Sequence, residues 1–165
     1  MGTSFVVRPV EPPDLAAVGR LAGQLVRYHH ALDPQRYMRI DNVEEGYARF
    51  LGKEAGNPRA VVLCAADALS GAIIGYAYGT LEGRDYNALL EPHGALHDVL
   101  VDPEARRVGV GKHLVLETCR RLEALGAPRL LLHTAVQNGA AQALFKKVGF
   151  RSTMIEMTRE AAMPR

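Results

Sequence analysis

Residues Val99–Leu114 read VLVDPEARRVGVGKHL, and the order of residue types in that stretch decides the fold. An apolar run, Leu96–Val101, is stopped by Asp102-Pro103, since proline removes a donor from any strand ladder. A short loop then carries Arg106 and Arg107. Two glycines spaced G-x-G, Gly109 and Gly111, open a helix expected from about Gly109 to Leu125, with Gly126 and Pro128 as its stop signals. The apolar stretch Arg129–Ala135 follows as a buried-type strand. Strand, helix, strand in this order predicts a parallel crossover of right hand. The loop-to-helix junction is also an anion cradle. Backbone N–H groups converge at a helix N-terminus, where the dipole favours negative charge. Arg106, Arg107 and Lys112 add positive charge at its mouth.

Upstream, Ser4–Pro9 alternates as a first strand, and Pro12-Pro13-Asp14 opens a helix to about His30 with Leu15, Val18, Leu21, Ala22 and Leu25 on one face. Asp33-Pro34 breaks the chain before a second helix, Val43–Ala55. The signal then turns to β. Arg59–Ala66 and Ala72–Glu82, joined by a turn at Ala68–Gly71, predict an antiparallel hairpin. Gly83–Pro92 reads as a surface loop. Downstream, Asn138–Val148 is a helix with Asn138 at the N-cap and Gly149 at the C-cap. Phe150–Thr158 is expected to close the sheet. The predicted order is β-α-α-β-β-β-α-β-α-β, a mixed α/β fold around one central sheet. Residues 1–165 are read as a single domain.

Composition narrows the function classes. The 165 residues are 48% hydrophobic and 23% charged, which excludes a mostly disordered chain. Two cysteines are no disulfide framework, no apolar run is long enough to span a membrane, and no signal peptide is visible. Cytoplasmic residence is the expectation. A net charge of +2, 6% aromatic residues and no Trp give nucleic-acid binding little support.

Three phosphate-binding designs compete for the glycine loop. A P-loop needs G-x-x-x-x-G-K-[ST], but Arg106 takes the first glycine position and His113 follows Lys112. A dinucleotide fingerprint needs a third glycine where Leu114 stands. The third design, R-x-x-G-x-G after a V-x-P strand exit, is matched by Arg106 to Gly111 behind Val101-Asp102-Pro103. A second signature, N-x-x-A-x-x-L-[YF]-x-K-x-G-F, is matched by Asn138, Ala141, Leu144, Phe145, Lys147, Gly149 and Phe150. With both in register, the chain resembles the GNAT superfamily of acetyl-CoA-dependent N-acetyltransferases.

That resemblance implies acetyl-CoA as cofactor and a splay between the fourth and fifth strands. It assigns the coenzyme pyrophosphate to Arg107, Val108, Gly109, Val110, Gly111 and Lys112. The pantetheine arm falls to Val99, Leu100 and Val101, with an oxyanion donor among their N–H groups, and to Asn138. One position departs from the pattern: many relatives carry Tyr, taken as the acid for the departing thiolate, where this chain has Phe145. A base is still needed, because an alkylamine of pKa about 10.4 is overwhelmingly protonated at pH 7. His133 and Asp98 are the candidates, set against a core histidine and a structural carboxylate; His97 lies beside Asp98. On the acceptor side the resemblance points to the first two helices and the loop after the third strand, and so to Tyr28, Glu82 and Tyr86, with Asp33, Tyr37 and Asp85 nearby. Acidic and tyrosine groups suit a small cationic amine. No metal is needed, and a homodimer is compatible with the resemblance. Two alternatives stay open: transfer to a protein N-terminus or lysine, and an acyl-CoA-binding sensor without turnover.

Overall fold

The computed structural model describes residues 4–161. Among them the strands are β1 (Phe5–Pro9), β2 (Ala60–Asp67), β3 (Ile73–Glu82), β4 (His93–Val101) and β5 (Leu130–Leu132). The helices are α1 (Leu15–Leu32), α2 (Val43–Glu54), α3 (Val110–Ala124) and α4 (Gly139–Lys147). The strands lie in the order β1-β2-β3-β4-β5, antiparallel throughout except for the parallel β4–β5 pair. This is the expected mixed α/β sheet with a parallel crossover through α3.

Alternation along β2 explains why the sheet is covered on both sides. Val62 and Cys64 pack with Val18, Leu21, Leu25 and Leu51 of α1 and α2, while Val61, Leu63 and Ala65 pack with Leu114 and Leu122 of α3. A central strand covered on both faces has to be apolar at every interior position, and residues 61–66, VVLCAA, are.

The start of α1 is pinned to β1 by an ion pair. Arg8 donates through both terminal nitrogens to Asp14, at 2.6 and 3.0 Å, and the Glu11 N–H donates to Asp14 Oδ2 at 2.9 Å. Asp14 is largely buried, and the Arg8 guanidinium holds its carboxyl below the usual carboxylate range. Removing one partner strands the other, so Asp14→Ala should cost about 2 kcal/mol. Because the folded pKa is depressed, that contribution is complete above about pH 4 and is lost as pH falls further. Urea unfolding of both proteins at pH 7 and pH 3 checks this: the gap should narrow at the lower pH.

Two strand expectations are corrected. The buried-type strand predicted at Arg129–Ala135 pairs only through Leu130, Leu131 and Leu132, all partly exposed. The closing strand predicted at Phe150–Thr158 does not form; the segment has no regular secondary structure, and residues 151–158 are exposed. The physical reason is the same in both cases. A strand exists only through a ladder, and β5 leaves β4 after three residues, so it offers no edge of useful length. Met154, Ile155 and Met157 consequently face solvent at 80–89% exposure. The segment is tied down at one point, where Glu156 accepts from Arg36 Nε and from Arg36 Nη2, the latter at 2.9 Å.

Where β5 departs, β4 carries an irregularity. Gly79 pairs with Leu96 and Tyr78 with Asp98, which leaves His97 as an extra residue in the ladder. A side chain at Gly79 would place its Cβ 2.8 Å from the Ala95 carbonyl oxygen, so the close approach of the two backbones there requires glycine. The bulge resets the alternation of β4. Leu96, opposite Gly79, belongs to the α3 face, whereas Asp98, opposite Tyr78, belongs to the α1–α2 face. His97 stacks on Tyr78 with ring centroids 5.0 Å apart, on the same side as Asp98.

Candidate active site

The last β4–β5 pair is Leu96 with Leu132, so from His97 to Val101 one edge of β4 is open. The Asp102 N–H donates to Ile74 of β3 at 2.9 Å. By the two-residue period the backbone polar groups of Leu100 also face β3, and those of Val99 and Val101 face the opening. The splay expected between the fourth and fifth strands is therefore present, and Val99 and Val101 supply its free N–H groups.

The strand runs directly into the glycine loop. Arg107 and Gly109 both take left-handed backbone conformations, with φ of +70° and +93°. Gly109 occupies the N-cap of α3 and has no side chain to cap it, so among the described residues the N–H groups of Val110, Gly111 and Lys112 have no acceptor. The Val110 side chain is buried in the core and fixes the helix start. Gly111 faces Leu144 of α4 at 3.3 Å and Val101 at 3.5 Å from an idealised Cβ, which brings α4 against the cradle. The Arg106 Nε–H donates to the Val101 carbonyl at 3.1 Å and braces the strand exit. The residues present thus fit a polyphosphate with an extended amide arm: open donors at a helix N-terminus, cations at its mouth and an unpaired strand edge leading away.

Asn138 caps α4, accepting from the Ala141 N–H at 3.2 Å. It also accepts from the Tyr28 hydroxyl at 3.4 Å. Tyr28 therefore meets α4 across the opening, while Glu82 and Tyr86 line a different cleft. That cleft, about 700 Å³, is walled by Glu82, Asp85, Tyr86, His93, His97 and His133 together with the backbones of β4 and β5. His133 is the first residue beyond β5 and is exposed, so it is not a core histidine.

Asp98 is partly buried and receives the fully buried Tyr76 hydroxyl at 3.2 Å. Burial raises its carboxyl to about 6, against the opposing pull of the Tyr76 hydrogen bond. The Tyr78 hydroxyl donates to Glu54 of α2 at 2.9 Å. Thr80 lies between Glu82, a very short contact, and His97 Nε2 at 2.7 Å. Burial lowers the His97 pKa, while the Glu82 and Glu54 charges raise it.

Tyr76, Tyr78, Thr80 and Glu82 form one polar face of β3. The first three are not among the residues the family signatures mark, yet their alternation along β3 is itself a signal in the sequence. Cys64 and Cys119 are both pushed up to about 11 by burial, which keeps them as inert thiols. Among the described residues no group of three side chains could hold a metal, and no helix is long and apolar enough to cross a membrane.

A profile of the acetyltransferase (GNAT) family matches residues 25–150. A curated relative, mycothiol acetyltransferase of Saccharomonospora viridis, is 30% identical over 53% of this chain and 29% of its own length. The chain thus spans less than a third of that relative. Among solved structures, a tetramutant of the BH1408 protein from Bacillus halodurans superposes with a TM-score of 0.80 at 18% identity, covering 94% of this chain and 99% of the other. The aminoglycoside N-acetyltransferase AAC(6')-Iy in complex with CoA gives 0.75 at 20% identity, covering 98% and 97%. At such identities the structures share the fold. The family match, over the residues that build the splay and the glycine loop, carries the conclusion: this chain belongs to the GNAT family of acetyltransferases, whose acyl donor is acetyl-CoA.

Proposed function

We propose that the chain, working as one domain, is an N-acetyltransferase that moves the acetyl group to a primary amine of a small cationic molecule by direct attack. The observation that carries the reading is the make-up of β4. Within five residues it presents titratable groups at His97 and Asp98 and open backbone edges at Val99 and Val101, and it then ends in the anion cradle.

Arg107 to Lys112 would hold the pyrophosphate through backbone N–H groups and charge. Val99, Leu100 and Val101 would pair with the amide arm, aided by Asn138. When bound, acetyl-CoA supplies an activated acetyl ester of a thiol with pKa about 8.5. The Val99 N–H, nearest the vertex of the splay, is the donor best placed for the carbonyl oxygen. Asp98, directly before Val99, is one candidate for the base, its carboxyl raised to about 6 by burial. His133 stands across the opening as the other candidate. The acceptor cleft carries Glu82, Asp85 and Tyr86, and this polarity favours an ammonium group. That one structural neighbour is an aminoglycoside N-acetyltransferase supports the same acceptor class.

Thiol release from acetyl-CoA against pools of polyamines, amino acids, aminoglycosides and short peptides tests the reading. Release above the amine-free blank in a small-amine pool is expected; release confined to peptides would replace it with the protein-modifying alternative.

Phe145 favours the sensor reading, since its half-buried ring packs edge-on against Phe150 at 6.0 Å and has no proton to give. The two readings differ over Phe145→Tyr. A thiolate of this basicity leaves without an acid, so the substitution should change kcat by no more than about threefold. Restoration of an otherwise absent turnover by the new hydroxyl would favour the sensor.

A further inference from the structure

The proton-accepting group at the vertex of the splay is identified by the contacts of Thr80. A threonine hydroxyl has one proton, and an ionised carboxylate only accepts. Thr80 makes its very short contact to Glu82 Oε1, so its proton lies on that line. The oxygen of Thr80 must then receive from His97, whose Nε2 stands 2.7 Å away. This fixes the tautomer: Nε2 carries the hydrogen and Nδ1 carries the lone pair. Among the described residues Nδ1 has no hydrogen-bond partner. The ring is also held flat against Tyr78, at 5.0 Å and 29°.

Position supports the same assignment. His97 is the bulge residue of β4 and the first residue beyond the last β4–β5 pair, two residues before the open Val99 N–H. It lines the cleft that holds Glu82, Tyr86 and His133. Neither Asp98 nor His133 combines a fixed lone pair with that place: Asp98 accepts from buried Tyr76, and among the described residues no hydrogen bond fixes the His133 ring beyond β5.

Resting on the acetyltransferase reading, we infer that His97 is the catalytic base, and that Thr80 and Glu82 are positioning residues that fix its tautomer and balance its charge. The acceptor ammonium gives one proton to Nδ1. The neutral amine then forms the C–N bond while the C–S bond breaks with its electron pair going to sulfur. The second amine proton neutralises the thiolate, and the imidazolium returns its proton to water. The groups facing His97 divide in sign: Glu82 of β3 and Glu54 of α2 favour the cation, while His93 of β4 and His133 after β5 oppose it.

The test combines rates with nitrogen NMR of the imidazole on the full chain. His97→Gln should lower kcat by about 10²–10³-fold while acetyl-CoA binding, measured by calorimetry, is retained. Thr80→Val should lower kcat about tenfold, within the range expected of misplaced proton transfer, and the NMR signature of the Nε2–H tautomer should disappear; Thr80→Ser should restore both. Glu82→Gln removes a charge that favours the cation, so the ascending limb of the kcat/KM profile should move to lower pH. That profile reports the free enzyme and the free acceptor, and the free acceptor's ionisation is the same for every variant. Wild-type turnover together with full-rate His97→Gln overturns the assignment alone, as does an Nδ1–H tautomer in the wild type. A wild-type protein that binds acetyl-CoA yet acylates no amine overturns the acetyltransferase reading itself, and the assignment of a base with it.

Discussion

Asp98→Asn should make the protein more stable at pH 8, by about 3 kcal/mol, while impairing the site. The Asp98 carboxyl titrates near about 6 in the folded chain because it is buried, against an ordinary value of 3.8. The folded state therefore holds the proton more tightly than the unfolded state does. Stability falls as pH rises through the interval between the two values, and the full cost is present above the upper one. A shift of this size corresponds to about 3 kcal/mol. Asn is close to the protonated acid in shape and can still accept from Tyr76, so it escapes the penalty. Below about pH 4 the acid is protonated in both states and the advantage should vanish. Urea unfolding of the two proteins across pH 4 to 8 gives the test. Equal stability at pH 8 would mean that Asp98 is better solvated than its contacts imply.

The second large effect is expected at Gly109. Its φ of +93° lies in the left-handed region, where a β-branched residue is strained by about 1–3 kcal/mol. Space is not the obstacle, since a Cβ there would meet only the His113 ring at 3.6 Å. Gly109→Val therefore acts through the backbone. A loop that kept its shape would store the strain and lower the melting temperature. A loop that relaxed would release it and scatter the N–H groups of Val110 to Lys112. Residues 106–108 are exposed, and their one recorded side-chain bond is from Arg106 to Val101, so relaxation is the easier course. Acetyl-CoA affinity should fall about 5–150-fold, the equivalent of that strain, with little change in melting temperature. Gly109→Asn should fall between the two, because asparagine tolerates this conformation. Undiminished affinity in Gly109→Val would remove the cradle from the cofactor site.

Much of this was legible along the chain. The strand–loop–helix at Val99–Leu114 announced the crossover, since proline, paired arginines and G-x-G have few other uses in that order. The bounds of α3 and α4 fell within a residue or two of those read from Gly109, Gly126, Asn138 and Gly149, because caps and stops are local chemistry. The misses share a cause. The LLLHTA run has full β propensity, yet β5 stops at Leu132 because its neighbour turns away, and propensity cannot report a missing partner. The closing strand failed for want of the same edge. At the site, strict alternation puts His97 and Asp98 on opposite faces of β4, so the sequence offers His97 only as a neighbour of Asp98 and not as a base. The bulge that reunites them depends on the match between Gly79 and Leu96, two positions seventeen residues apart.

That extra residue also sets the tolerance of the chain to insertion and loss. Removing one codon at His97 would heal the ladder into a regular antiparallel pair, and the sheet would accept it. The strand would then alternate without interruption from Gly94 to Val101, and the hydrogen-bonded pairs around Tyr78 would be unchanged. What would vanish is the second titratable group on the acceptor face. A sequence copied with every glycine, arginine and cap in place, but one residue shorter here, would keep the fold and the cofactor cradle and lose the proton acceptor. In this chain the residue count between Gly79 and the V-x-P exit therefore decides whether the proposed proton acceptor is present, and the two motifs carry no trace of it.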